Sequence, residues 1–317
     1  RMLKVKQLTK IKKTEALARR RASGAAGSGA RGAAPRFILV VGLAETADVD
    51  LVRDAVLATS TGSSVYVSPR GALSGVTTQL REGKNKRRVT VASVDYRDTL
   101  AVCDLAKVAD VVVFVMSCAE FGVAFSQSDA ASVVTAAVSF APNPLEGCVD
   151  EEGENMISAL RAQGLPATVC VSHGLSTMPG GSTKRRTECR RLMQRFFRSE
   201  FGDAVKIVMD SPTALVAADR ARKTGGVAAA AAASTKALGA MLSRVVLDLR
   251  PTELSWREKR SYMLLDDAAV VAPAAGASAD APVEVHIRGY VRSCALDPNA
   301  LLHVTGIGSF QQLRVVA

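Results

Sequence analysis

The residues with the clearest chemical potential follow a short apolar run, Phe37–Gly42 (FILVVG). A nucleotide-binding fold places its G-x-x-x-x-G-K-[ST] loop at such a strand end. There the glycines leave room for phosphates, the lysine meets the β- and γ-phosphates, and the hydroxyl binds Mg²⁺. Counted from Gly42, this chain reads GLAETADV, so Ala47 holds the second glycine position, Asp48 the lysine position and Val49 the hydroxyl position. Each replacement removes one function, and the carboxylates of Glu45 and Asp48 repel a triphosphate. Acidic residues at a helix start also have a structural use, because they favour the helix dipole.

Two further nucleotide motifs are altered in the same way. The D-x-x-G position reads Asp95, Tyr96, Arg97, Asp98, and the guanine-reading N-K-x-D position reads Ser172, His173, Gly174, Leu175. His173 is expected to serve as a loop hydrogen-bonder rather than a catalyst, since no Ser/His/Asp or Cys/His set is recognisable. The expectation is a degenerate phosphate loop at Gly42, Ala47, Asp48 and Val49, with no catalytic residue, no cofactor and no metal. Six cysteines without a C-x-x-C pair and only three histidines indicate neither a zinc site nor a disulfide framework, which fits free thiols in a reducing compartment.

The elements that must position this loop alternate. After Phe37–Gly42 comes a helix from Asp48 to about Thr59, and buried-strand runs recur at Val89–Val94, Val111–Met116, Ala167–Val171 and Lys206–Met209. Helical segments such as Glu154–Gln163 and Thr187–Phe201 separate them. Strands alternating with helices predict an α/β fold with a parallel sheet covered on both faces. Within Lys184–Phe201, Cys189, Leu192, Met193, Phe196 and Phe197 form a core-facing stripe. The surrounding Lys184, Arg185, Arg186, Arg190, Arg191, Arg195 and Arg198 form either a solvated face or a second RNA-facing surface. Around Arg250–Pro251 the alternation ends, and three β segments predict a second, β-rich domain over 251–317, with Ala272–Pro282 as a loop between two of its strands.

Charge is concentrated at the front. The chain carries 41 basic and 30 acidic residues, a net of +11. Residues 1–36 hold eleven of the basic residues and one acid, which leaves 30 basic and 29 acidic residues in the other 281. Residues 1–22 are read as a basic helix whose Lys4, Lys6, Lys10, Lys12, Lys13, Arg19, Arg20 and Arg21 bind RNA. Residues 23–36 are read as a flexible linker and 37–250 as the α/β domain. A solvated tail or a nuclear-import signal is the alternative for the arm. No segment has the make-up of a secretory signal or a membrane span, so no membrane partner is expected. The opening Arg1 and a strand pattern still running at Ala317 suggest a longer parent chain with further barrels.

Four blocks occur in order: CDLAKVADVVVFVMS (103–117), ALRAQGLPATVCV (159–171), SWREKRSYMLLDD (255–267) and IRGYVRSCALDPNALLHVTGIGSFQ (287–311). Together they resemble the ribosome-biogenesis branch related to translational GTPases. The altered loop selects its 20S pre-rRNA accumulation family of small-subunit maturation factors. Ser293 departs from the glycine usual after GYVR, Ser309 from an acid that often precedes the phenylalanine, and the Ala-rich stretch near Ala228 looks like an insertion.

The resemblance implies a GTPase-like domain without GTPase activity, followed by the start of a β-barrel domain. It also implies a basic N-terminal helix inserted into small-subunit pre-rRNA. The expected partners are pre-rRNA, ribosomal proteins of the pre-40S particle and other assembly factors, in nucleus, nucleolus and cytoplasm. The expected action is non-catalytic support of late pre-rRNA processing and a block on premature binding of translational GTPases and on subunit joining. The alternative is an active GTPase of ribosome assembly with an atypical phosphate loop.

Overall fold

Strand β1 (Arg36–Gly42) is buried along its whole length. Phe37, Leu39 and Val41 enter one apolar cluster while Ile38 and Val40 enter another. A strand that is apolar on both sides of its two-residue repeat belongs at the centre of a sheet covered twice. In the computed structural model this is its place. The model describes residues 35–58, 60–67, 74–82, 85–118, 121, 145, 147–178, 182–250, 254, 256–257, 260–271, 284–304, 308–312 and 314–316.

The sheet has seven strands in the order β2-β3-β4-β1-β5-β6-β7. β4 (Asn85–Val94), β1, β5 (Val111–Ser117), β6 (Ala167–His173) and β7 (Lys206–Met209) run parallel. On one face lie α1 (Val49–Leu57) and α5 (Pro212–Asp248), which bury Val52, Val56, Leu238, Leu242 and Val246. On the other lie α2 (Thr99–Val108), α3 (Glu151–Gln163) and α4 (Thr183–Phe201), which bury Val102, Ala106, Met156, Leu160, Met193 and Phe197. Each fully buried Leu or Phe in these layers contributes about 1.5–3 kcal/mol relative to an exposed one.

The expected parallel core is therefore present, but the sheet is mixed. β2 (Ser60–Val67) and β3 (Ser74–Glu82) form an antiparallel hairpin that continues from β4 to the edge. β4 also begins four residues before the expected Val89. Only Val89–Val94 lie opposite β1, whereas Asn85–Arg88 face β3 alone, so the apolar run marks just the part flanked on both sides. The helix expected over Thr187–Phe201 starts at Thr183, with Ser182 Oγ accepting from the Arg185 N–H, and that over Glu154–Gln163 starts at Glu151. The Ala-rich stretch near Ala228 is helical. It continues α5 beyond a break at Gly226 (φ 78°) and leads into the residues that pack on α1.

Arg36, assigned from sequence to the linker and counted with the arm cations, instead opens β1. It is buried, and its guanidinium donates to the carbonyls of Val246 and Leu247 at the end of α5. The basic helix expected over 1–22, and the linker as far as residue 34, lie outside the described residues.

Downstream, β8 (Tyr262–Val271) pairs antiparallel with β9 (Glu284–Arg292), and β10 (Leu301–Val304) with β11 (Gly308–Gln311). Two such hairpins are consistent with a barrel beginning here; the Ala272–Pro282 loop lies outside the described residues. Three arginines tie this β region to the α/β sheet. Arg292 bonds Asp110 Oδ2 at 2.8 Å and the Pro35 carbonyl at 2.6 Å. Asp110 Oδ2 also accepts from the Phe37 N–H at 2.8 Å. Arg257, buried beneath Trp256 and Tyr262, donates at 2.8 Å to the carbonyls of both Ala106 and Ala109 at the end of α2. Arg88 donates to the Tyr290 hydroxyl at 2.9 Å.

Ser293, where glycine was the family expectation, keeps a left-handed backbone (φ 69°) and bonds its Oγ to the Arg257 carbonyl. The turn is thus made without glycine, at the conformational cost that a side chain carries there.

Candidate functional site

In an open α/β sheet, ligands bind beyond the carboxyl ends of the strands, near the point where strand order reverses. Here β1 has β4 on one side and β5 on the other. Above the ends of β1 and β4 lies an open depression of about 730 Å³, lined by Ala44–Asp50, Arg53 and Ser93–Arg97. The residues that sequence placed in the altered nucleotide motifs meet in and around it.

The loop has closed on itself. Leu43 N–H extends the β1–β5 ladder by donating to the Val115 carbonyl at 3.0 Å, and Ala47 N–H closes a turn on the Ala44 carbonyl at 3.0 Å. Asp48 N–H donates to His173 Nε2 at 3.1 Å, and Leu51 N–H donates to Asp48 Oδ1 at 2.8 Å. In a phosphate cradle, loop and helix N–H groups of this kind point at the anion. Four of them are engaged internally here, and Asp48 is the N-cap of α1. Its carboxylate sits on the helix terminus that would otherwise receive a phosphate. The dipole favours either anion, but only one fits.

Packing reinforces the closure. A side-chain carbon on Gly42 would lie 3.2 Å from Ala47 Cβ and 3.3 Å from Val49 Cγ2, so the residues at the second glycine and hydroxyl positions fill the space beside the first glycine. From outside, the Leu43 carbonyl accepts from Asp150 N–H at 3.1 Å, and Gly153 of α3 sits so close to that carbonyl that any side chain would overlap it.

Asp150 is the site residue that motif reading missed. It caps α3 through Gly153 N–H at 2.7 Å and accepts the Tyr96 hydroxyl at 2.5 Å. Burial, with the Asp150 carboxylate adding to it, pushes the Tyr96 phenol up to about 12, so it remains a donor. The signal for Asp150 was its place before the acidic first turn Glu151, Glu152 and Glu154.

At the D-x-x-G position, Asp98 caps α2 by accepting from Ala101 N–H at 3.0 Å, and Arg97 N–H bonds Asp95 Oδ1 at 3.1 Å. Arg97 also pairs with Glu45 across the depression at 3.0 Å. Arg53 pairs with Asp50 at 2.7 Å and reaches Ser93 Oγ at 3.2 Å. The cations nearest the loop are therefore bound to carboxylates.

His173, at the end of β6, bridges to the loop as a hydrogen-bond acceptor. That role requires the neutral ring with its proton on Nδ1. Burial holds its pKa below the ordinary 6.5, and the Asp48 carboxylate pulls weakly the other way. Ser172 turns into the core instead, its Oγ 3.0 Å from Cys118 Sγ and 3.1 Å from Met193 Sδ. Among the described residues, no cluster of His, Cys, Asp or Glu is arranged to hold a metal, and no helix is long and apolar enough to cross a membrane. Lys4, Lys6, Lys10, Lys12, Lys13, Arg19, Arg20 and Arg21 lie outside the described residues.

Comparison with known proteins places these features. Residues 250–316 match the AARP2CN (NUC121) domain. A mouse pre-rRNA-processing protein TSR1 homolog is 25% identical over 254 residues, covering 80% of this chain and 24% of that protein. The fission-yeast ribosome biogenesis protein tsr1 is 25% identical over 219 residues, covering 69% and 20%. The chain thus spans about a quarter of the length of these relatives. Among solved structures, elongation factor SelB from Methanococcus maripaludis aligns over 87% of this chain and 45% of its own, with a TM-score of 0.43 and 13% identity. A bacterial selenocysteine-specific elongation factor aligns over 87% and 37%, with a TM-score of 0.44 and 11% identity. Over most of its length the chain is therefore similar to proteins named for pre-rRNA processing and ribosome biogenesis, and over residues 250–316 it is similar to the AARP2CN domain.

Proposed function

We propose that this protein acts in ribosome biogenesis and pre-rRNA processing as a non-catalytic factor. In this account it binds the precursor of the small (40S) subunit, supports late processing of its rRNA, and occupies ground that translational GTPases and the large subunit would otherwise take too early. The α/β domain over 37–250 and the β domain over 251–317 supply shape, and the cationic arm over 1–22 supplies salt-dependent affinity for rRNA. The observation that carries the reading is the capped loop: the Asp48 carboxylate occupies the N-terminus of α1, and Asp48 N–H is taken by His173. A GTPase-like body that keeps no anion site at that terminus has no chemistry to perform there, so its contribution is position. The names of its relatives, pre-rRNA-processing and ribosome biogenesis proteins, support the setting.

The test is co-sedimentation with purified small-subunit precursors across a salt series. The full chain binds with a steep salt dependence, and deletion of residues 1–22 weakens binding and flattens that dependence. Equal affinity and slope for the two proteins would remove the arm from the account, and absence of the full chain from the precursor fractions would remove the account itself.

A further inference from the structure

Helix α4 (Thr183–Phe201) carries seven cations in its sequence, and the fold divides them. Three turn inward. Arg186 is buried and makes a two-pronged bond to Asp219 at 2.9 and 3.1 Å; Arg185 donates to the Phe121 carbonyl at 2.8 Å and Arg190 to the Asp210 carbonyl at 3.2 Å. The other four, Lys184, Arg191, Arg195 and Arg198, are exposed. They follow at intervals of seven, four and three residues, which stacks them in one stripe along the helix, opposite the buried Cys189, Met193 and Phe197. None of the four has an ion pair among the described residues.

The nearby carboxylates leave the stripe cationic. Glu200 is paired with Arg161 at 2.9 Å, Glu188 shares the exposed face, and Asp203 lies at the far rim. The last three arginines line one side of a shallow groove of about 430 Å³, completed by Gln194, Ser199 and Asp203. The groove has no apolar or aromatic lining residue.

The geometry points to a second RNA contact: we propose that Arg191, Arg195 and Arg198 bind the phosphate backbone of structured rRNA. This inference rests on the ribosome-biogenesis reading above and adds a surface to it. At 1.5 Å per residue the three arginines span about 10 Å of helix, the length over which one strand of a duplex presents about three phosphates. Guanidinium forks match phosphate oxygens, and the Gln and Ser of the groove suit backbone oxygens. With no aromatic among the described residues that line the groove to stack a base, the contact reads backbone and shape rather than sequence. A protein partner is disfavoured by the same lining, because protein interfaces centre on apolar or aromatic anchors.

The experiment compares the full chain with the triple variant Arg191→Gln, Arg195→Gln, Arg198→Gln in binding to transcribed small-subunit pre-rRNA across a salt series. A control variant, Lys206→Gln, Arg220→Gln, Lys236→Gln, removes the same charge from exposed positions elsewhere. Glutamine keeps helix propensity near that of arginine, and matching thermal midpoints confirm the fold. The triple variant is expected to bind about 30- to 100-fold more weakly at physiological salt, with the log–log salt slope reduced by about two to three, while the control stays within about threefold of the parent. Equal losses in the triple variant and the control, or no loss in the triple variant, would overturn this surface while leaving rRNA binding by the parent intact. Failure of the parent chain itself to bind pre-rRNA would instead sink the reading on which the inference rests.

Discussion

The N–H of Asp48 donates to the ring Nε2 of His173 at 3.1 Å, joining two residues 125 positions apart. Each stands in a lysine position, one of the phosphate loop and the other of the guanine-reading motif. The two motif positions are thereby joined by a hydrogen bond of the protein's own.

That bond makes the loop sensitive to pH. His173 is held below its ordinary pKa of 6.5 by burial, so the folded state favours the neutral ring. Below 6.5 the unfolded chain takes up the proton more readily than the folded one. The stability is therefore complete above about pH 6.5 and is lost as pH falls through the lower folded value. His173→Gln keeps an acceptor without titrating. Urea unfolding at pH 5.5 and 7.5 is expected to show a smaller pH difference for this variant than for the parent; equal differences would remove His173 from the linkage.

The Asp48 cap separates shape from charge. Asp48→Asn preserves a good N-cap and is expected to change stability by less than about 0.5 kcal/mol, whereas Asp48→Ala loses the bond to Leu51 N–H and costs about 1 kcal/mol. Denaturant midpoints measure both, and equal effects of the two substitutions would contradict the capping role.

Arg257 holds the end of α2 against the β region through the carbonyls of Ala106 and Ala109. Removing it leaves two acceptors without their donor, and Arg257→Met is expected to cost about 2–4 kcal/mol in thermal or urea unfolding. Arg257→Lys recovers less than half of that, because an ammonium lacks the fork and the planar face stacked near Trp256 and Tyr262. Full rescue by lysine would show that charge alone suffices.

How much of this was legible in the sequence follows from what each element buries. β1, β5 and β6 are flanked by strands on both edges and helices on both faces, so their apolar runs announce them. β2 and β3, with sequences STGSSVYV and SGVTTQLRE, are rich in Ser, Gly and Thr and carry no wholly apolar run to announce them; pairing with β4, rather than their own pattern, makes them strands. In the site, the loss of the loop lysine and glycine was readable at Asp48 and Ala47. The partner of Asp48 was not, because His173 is brought to it by the register of β1, β5 and β6. Likewise the seven cations of α4 looked alike until packing turned Arg185, Arg186 and Arg190 inward.

The central claim is that the site beside Asp48 holds its own carboxylate in place of a nucleotide. Equilibrium titration of the full chain with fluorescent GTP and Mg²⁺ tests it most directly. The account predicts no saturable binding up to about 1 mM nucleotide, and a dissociation constant on the order of 1 μM, about 8 kcal/mol of binding free energy, would contradict it.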